Sequence, residues 1–222
     1  MINAQIKYLM NSLYVVTLLI SSTLTAAEVE SPVDMLKRTS DEVIEVLKQR
    51  REEINENPDI VYEIVDQYIV PHLDDVTLAK LALGKNWRQA SNEQKIEFVD
   101  EFRELLIRTY GKSLQEFKDQ KIEFSALRDY SGEERVVVKS EVLQSGGPSI
   151  PVDYRMRLKD GEWKVYDIII DGVSLVTNYR GTFAQEMRKG GMEQVLKMLR
   201  EKKAEVSEGK AAPDSSVAES SR

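Results

Sequence analysis

The sequence predicts an α+β fold, a curved four-stranded antiparallel sheet with helices packed across its apolar face. Three observations carry that prediction. From Val33 to Phe117 the apolar residues recur every three or four positions. From Lys121 to Ile170 they alternate with polar ones, and from Val173 to Leu199 the helical spacing returns. The first and third patterns put one stripe of a helix in a core, and the second puts one face of each strand there.

In the first helical region, Met35, Leu36, Val43, Ile44, Val46 and Leu47 mark an amphipathic helix over 33–54. Asn57-Pro58 resets the chain, Asn57 as a cap and Pro58 as a favourable first helical residue. The next stripe is Ile60, Val61, Ile64, Val65, Tyr68 and Ile69, ended by Pro71. A third helix, about 76–83, stops at Gly84. Ser91 with Gln94 three residues on is a capping box opening the longest helix. Its stripe is read as Ile96, Val99, Phe102, Leu106, Tyr110, Leu114 and Phe117, broadened by Phe98, Leu105 and Ile107.

After Lys121 the period is two. Ile122, Phe124 and Ala126 form one face, and Val136, Val138, Ser140 and Val142 the next. Ile150, Val152, Tyr154, Met156 and Leu158 alternate with Asp153, Arg155, Arg157 and Lys159. Asp160-Gly161 is a two-residue hairpin signal leading to Trp163 and Val165, after which Ile168-Ile169-Ile170 is apolar on both sides. Turns at Ser131-Gly132 and 144–148 separate the runs. The result is a sheet with one apolar and one charged face. Asp171 is read as an acidic lead into a helix beginning near Gly172-Val173. That helix carries Val173, Val176, Tyr179 or Arg180, Phe183 and Met187; after Gly190-Gly191, a second carries Met192, Val195, Leu196 and Leu199.

The two ends differ from this body. Residues 1–27 hold one charge, Lys7, then an apolar run interrupted by Asn11 and Ser12, then small residues up to Ala26-Ala27. This is the pattern of a secretory signal cleaved after Ala27, with an apolar run shorter than the ~20 residues of a spanning helix. Residues 203–222 are rich in Ala, Ser, Glu and Lys and are expected to be disordered. The folded body is therefore 28–202, and its expected location is the bacterial periplasm.

Composition excludes much chemistry. The 222 residues contain no cysteine and one histidine, so a disulfide scaffold, a thiolate or multi-His metal site, a cysteine nucleophile and a lipidated N-terminal cysteine are all ruled out. Without Lys7 the chain has 30 basic residues against 38 acidic, a charge of −8 that disfavours nonspecific nucleic-acid binding. His72 has no nucleophile elbow to serve, and is read as a structural histidine. Lys85, Arg88, Arg103 and Arg108 are read either as a mixed-charge helix face or as a dock for an acidic partner or lipid head. No metal and no cofactor are expected, and no enzymatic activity.

The run Tyr166-Asp167-Ile168-Ile169-Ile170-Asp171-Gly172-Val173-Ser174-Leu175-Val176-Thr177-Asn178-Tyr179-Arg180, with Phe183, closely resembles the signature of the MlaC, or toluene-tolerance, family. So does Leu83-Gly84-Lys85-Asn86-Trp87-Arg88-Gln89-Ala90, followed by 98–103 and Arg108-Thr109-Tyr110. The resemblance runs from about Asp34 to Leu199. It implies a soluble periplasmic phospholipid carrier moving lipid between an outer-membrane lipoprotein–porin complex and an inner-membrane ABC transporter with a mammalian-cell-entry-type domain. Hopanoid-associated relatives look similar, which leaves a hopanoid as an alternative cargo. A periplasmic adaptor that binds a protein segment in its groove is the alternative of another class.

Physical chemistry sets what such a carrier needs. Each buried CH₂ is worth ~0.8 kcal/mol, so a sixteen-carbon chain resists water by roughly 12 kcal/mol. The tails need a sheltered apolar pocket and the head needs water. The expected walls are Val138, Val152, Tyr154, Met156, Trp163 and Val165 of the sheet, with Val136 and Val142. Opposite them are expected Phe102, Leu106, Tyr110, Leu114 and Phe117 of the longest helix. Val173, Leu175, Val176, Tyr179 and Phe183 are expected to close one side, with Asn178 and Arg180 near a lipid head group. The same residues also suit an ordinary packed core.

Overall fold

The computed structural model describes residues 29–208 apart from 116, 118, 119, 145 and 146; the expected signal segment, the middle of the 144–148 turn and residues 209–222 lie outside them. The elements in order are α1 (Pro32–Gln49), α2 (Arg51–Glu56), α3 (Ile60–Tyr68), a 3₁₀ turn (Val70–His72), α4 (Asp75–Leu83), a second 3₁₀ turn (Gly84–Gln89) and α5 (Asn92–Gln115). Strands β1 (Lys121–Phe124), β2 (Arg135–Leu143), β3 (Ile150–Lys159), β4 (Glu162–Ile170) and β5 (Val173–Ser174) follow, and α6 (Leu175–Ser207) ends the fold.

Local chemistry explains the boundaries. Ser31 caps α1 by accepting from the Asp34 amide at 3.0 Å, with Pro32 in the first turn. The helix expected over 33–54 is divided at Arg50, which leaves helical geometry while its guanidinium pairs with Glu53 and Glu63. Gly84 ends α4 at φ +60°, a conformation that favours glycine. The capping box is reciprocal: the Gln94 amide donates to Ser91 Oγ at 3.2 Å, and the Ser91 amide to Gln94 Oε1 at 3.1 Å. The buried line of α5 is Phe98, Phe102, Leu105 and Thr109, with Val99 beside it. Ile96, expected in that stripe, is 66% exposed. The helix is turned so that α4 and α6 pack on the Phe98 side, while α3 packs on Ile107 and Leu114.

The sheet has five strands in chain order, every neighbour antiparallel, rather than the four expected. The extra strand comes from a second Asp-Gly hairpin. Asp160 and Gly161 have φ +53° and +83°, and Asp171 and Gly172 repeat this at +48° and +81°. Positive φ at both central residues defines a two-residue turn of the primed type. Asp171 therefore turns β4 into β5 and caps no helix, correcting the reading above; Ser174 is the N-cap of α6. A bulge near Arg155/Met156 shifts the β3–β4 register.

Two buried aspartates dock helices on the sheet. Asp74 accepts from the amide and hydroxyl of Thr77, capping α4, and is paired with Arg157 and Lys159 of β3. Asp167 accepts from the Val176 amide and the Ser174 hydroxyl at the start of α6, and pairs with Arg155 at 3.0 Å. Each carboxylate meets a helix N-terminus and a β3 cation at once, so neither charge is buried unpaired.

The interior is three apolar clusters. One joins α4, α5 and α6; one joins α1, α2 and α3 with the inner side of α5; one joins the sheet to Met35 and Leu36 of α1. Helix α6 breaks at Gly190-Gly191, where both residues leave helical geometry. Its second arm runs on to Ser207, five residues into the stretch expected to be disordered. Val206 rests on the first cluster and Lys203 bridges Glu101 and Glu104, so these residues have packing partners after all.

Candidate functional site

The inner face of the sheet is closed at Val138, Met156, Trp163 and Val165 and only partly covered elsewhere. In register across the strands lie Ile122, Val142 and Ile150; then Phe124, Ser140, Val152 and Ile170; then Val138, Tyr154 and Ile168; then Val136, Met156 and Val165; then Leu158 and Trp163. Met35 and Leu36 of α1 pack with Val138, Met156, Trp163 and Val165, all of which are buried. Elsewhere on the face Ile122, Val142, Ile150, Val152, Tyr154, Ile168 and Ile170 all keep accessible surface. A sheet face of apolar side chains left partly uncovered is a surface suited to apolar material.

Tyr154 lies beside the closed part. Burial pushes its hydroxyl above the ordinary phenol range, against a hydrogen bond with Ser140 that lowers it. Ser140 also donates to the Val152 carbonyl at 3.0 Å. The polar atoms of this apolar face are thus satisfied locally.

The helices meet the sheet through α1, α4, α6 and the first 3₁₀ turn, while α5 packs chiefly on α3, α4 and α6. Leu114 and Phe117 are half-buried on the second cluster, immediately before β1. Arg51 fixes this corner by donating to the carbonyls of Gln115, at 3.1 Å, and Phe117. A cavity of about 40 Å³ lies between α4 and α5, lined by Leu73, Leu78, Val99, Phe102, Leu106 and Ile107, with Asp75 and Arg103 at its rim.

The residues expected as walls separate into two groups. Val152, Tyr154, Leu106, Tyr110, Leu114, Phe117 and Val173 are half-buried. Val138, Met156, Trp163 and Val165 belong to the closed part of the sheet cluster, and Leu175 is buried. Phe102, Val176, Tyr179 and Phe183 pack in the first cluster, where Phe98, Phe102, Tyr179 and Phe183 interlock with ring centroids 5.0–5.7 Å apart. The α6 aromatics therefore pack on α5. Arg180, expected near a head group, is exposed, and its Nε and Nη2 both donate to the Leu81 carbonyl, at 3.0 and 2.8 Å, tying α6 to the end of α4. Asn178 is half-buried one turn from the start of the same helix. Ile168, Ile170, Leu73 and Ile107 were not singled out as walls. The apolar run at the end of the last strand carried the first two, Ile107 was read as broadening the α5 stripe, and nothing in the sequence carried Leu73.

Among the described residues no group of three or more metal-ligating side chains comes together. His72 lines a separate 250 Å³ pocket with Glu30, Arg38, Glu162 and Trp163. Burial, and then the nearby Arg38 and Lys164 charges, push its pKa down. Among the described residues no helix is long and apolar enough to cross a membrane.

The profile of the MlaC protein family matches residues 37–201. The chain belongs to the MlaC family. It is 28% identical over 200 residues to the toluene tolerance protein ttg2D of Pseudomonas putida, covering 90% of this chain and 92% of that one. It is 22% identical over 182 residues to the intermembrane phospholipid transport system binding protein MlaC of Haemophilus influenzae, covering 81% and 85%. Among solved structures, the phospholipid-binding protein of Ralstonia solanacearum, in complex with a phospholipid, superposes with a TM-score of 0.74 at 32% identity. That match covers 79% of this chain and 98% of the other. For this MlaC family member, the Tyr166–Arg180 signature now has a structural meaning: it holds the capping Asp167, the β4–β5 turn and the Arg180 clamp.

Proposed function

We propose that this protein is a soluble phospholipid carrier of the bacterial periplasm, exported by a signal cleaved after Ala27. The observation that carries the reading is the partly covered apolar face of the sheet, in a fold whose Ralstonia relative was solved with a phospholipid. The tails lie along Ile122, Val142, Ile150, Val152, Ile168 and Ile170, and the head stays in water. Desolvation supplies the affinity, at ~0.8 kcal/mol for each methylene sheltered. No bond is made or broken in the carrier.

Its partners are an outer-membrane lipoprotein–porin complex and an inner-membrane ABC transporter bearing a mammalian-cell-entry-type domain, each offering an apolar channel to the tails. A negative body suits brief docking to such partners better than adhesion to anionic membrane. Native mass spectrometry of protein purified from periplasm tests the reading. Bound masses in the phospholipid range support it; hopanoid masses change the cargo; peptide masses replace the carrier with an adaptor; no bound mass and no uptake from vesicles overturn it.

A further inference from the structure

Two stretches of this acidic chain hold no carboxylate: residues 76–92, with Lys80, Lys85 and Arg88, and residues 172–185, with Arg180. The fold brings them together. Arg180 of α6 holds the Leu81 carbonyl with Nε at 3.0 Å and Nη2 at 2.8 Å, and its side chain lies 3.9 Å from where a β-carbon on Gly84 would be. All four cations are exposed. They gather at one joint, the end of α4 and the second 3₁₀ turn, where α6 meets both.

The other cations of this part of the sequence are already engaged. Arg103 pairs with Asp75 at 2.8 Å and with Asp100 at 2.9 Å, and Arg108 lies over the Tyr62 ring at 5.1 Å. Among the described residues Lys80, Lys85 and Arg88 have no ion pair, and Arg180 has a carbonyl acceptor but no carboxylate. Like charges gathered without a counter-charge repel one another, and an approaching anionic surface relieves that repulsion. The joint is not purely polar. Val76 and Leu81 of α4 are 48% and 36% exposed, and Leu81 lies beside Lys80 and one turn before Lys85. A small apolar centre with a charged rim is the anatomy of a protein–protein interface.

We propose that this joint is the docking surface for a protein partner that meets it with an acidic face. The proposal rests on the carrier reading for the identity of the partners and adds the place where they bind. The net negative charge of the chain opposes an anionic bilayer, whereas a protein shaped to the joint meets only the four cations and the apolar centre. Charge complementarity of this kind speeds encounter and fixes orientation, which suits a partner that must be met and left repeatedly.

The test measures binding of lipid-loaded mature protein to two purified probes, the mammalian-cell-entry-type domain and the lipoprotein–porin complex, at about 0.15 M salt. One variant combines Lys80→Glu, Lys85→Glu and Arg88→Glu. A control of equal net charge combines Lys37→Glu, Lys48→Glu and Lys112→Glu, on exposed lysines of α1 and α5. Each reversal replaces an attraction by a repulsion, so the joint variant should bind at least one probe about ten- to a hundredfold more weakly, with the control within about twofold of wild type. Equal losses in both variants, or no loss in either, overturn the proposal, as does wild-type protein that binds neither probe. A loss of binding to phosphatidylglycerol vesicles with both protein probes unaffected overturns it as well and makes the joint a membrane contact. If the joint variant melts early, the neutral set Lys80→Gln, Lys85→Gln and Arg88→Gln should weaken binding about three- to tenfold, and no weakening overturns the proposal. Native mass spectrometry of the same wild-type sample separates the two readings: protein that never takes up lipid yet binds a probe through the joint sinks the carrier and leaves the docking surface standing.

Discussion

Arg180 clamps the carbonyl of Leu81 with two donors, Nε at 3.0 Å and Nη2 at 2.8 Å, across 99 residues of chain. The end of an α-helix leaves carbonyls without intrahelical partners, and a cation there is favourable on both hydrogen-bonding and dipole grounds. Gly84 follows at φ +60°, with the Arg180 side chain 3.9 Å from where its β-carbon would be. Two separated sequence motifs are thus one joint between α4 and α6. Arg180→Ala should cost ~1–3 kcal/mol in urea unfolding, as charged hydrogen bonds do, without lowering lipid occupancy. A loss of occupancy at unchanged stability would return Arg180 to the head group.

Asp74 makes stability depend on acid. Burial pushes its carboxyl up, but the Thr77 hydroxyl and amide, with Lys159 and Arg157, outweigh that and hold it below the ordinary aspartate value. A depressed folded pKa contributes stability above the unfolded value, about 3.9, and that stability disappears as pH falls through the folded value. Asp74→Asn should therefore destabilise by ~2–4 kcal/mol at pH 7. The gap from wild type should narrow below about pH 4, as denaturant melts at both pH values would read.

His72 acts in the same direction, at a higher pH. Its pKa is lowered first by burial, then by Arg38 and Lys164, against Glu42 and Glu162; Glu30 is the remaining titratable group in the same pocket. The unfolded chain binds the proton more readily, so His72 removes stability as pH falls below about 6.5. His72→Gln should lessen the loss between about pH 6.5 and 5 and leave lipid uptake at pH 7.5 unchanged. Reduced uptake at pH 7.5 with the melt intact would give the histidine a functional role.

The helices, the strand faces and the Asp160-Gly161 turn were legible in the sequence because local spacing decides them. Asp171-Gly172 carries the same turn chemistry but was hidden, since Val173 also fits the helical stripe of Val176 and Phe183 and the strand it creates has only two residues. Periodicity identifies the apolar side of a helix, not its neighbour. It therefore could not place Phe102 and Phe183 against each other, or leave Ile96 in solvent. Asp74 and Asp167 were unreadable as docking points because the cations that make them tolerable, Arg157 and Arg155, lie on a strand whose register only the tertiary fold sets. The open surface itself is a failure of coverage, and coverage is not a local property.

Val152 and Met156 separate wall from core on one strand. Both point to the inner face, four residues apart, but Met156 is fully buried beneath α1 and Val152 keeps accessible surface where the face is only partly covered. A carboxylate at Met156 would be enclosed without a partner and should prevent stable folding, since an uncompensated buried charge costs several kcal/mol. At Val152 the charge stays near water while the protein is lipid-free, so Val152→Glu should melt within ~1–2 kcal/mol of wild type. A loaded tail would have to cover that carboxylate, and bound phospholipid should fall at least tenfold, as a desolvation cost above 1.4 kcal/mol requires. Purifying both variants beside wild type and extracting their lipid gives the answer. Undiminished phospholipid on a well-folded Val152→Glu protein would place the tails away from the sheet.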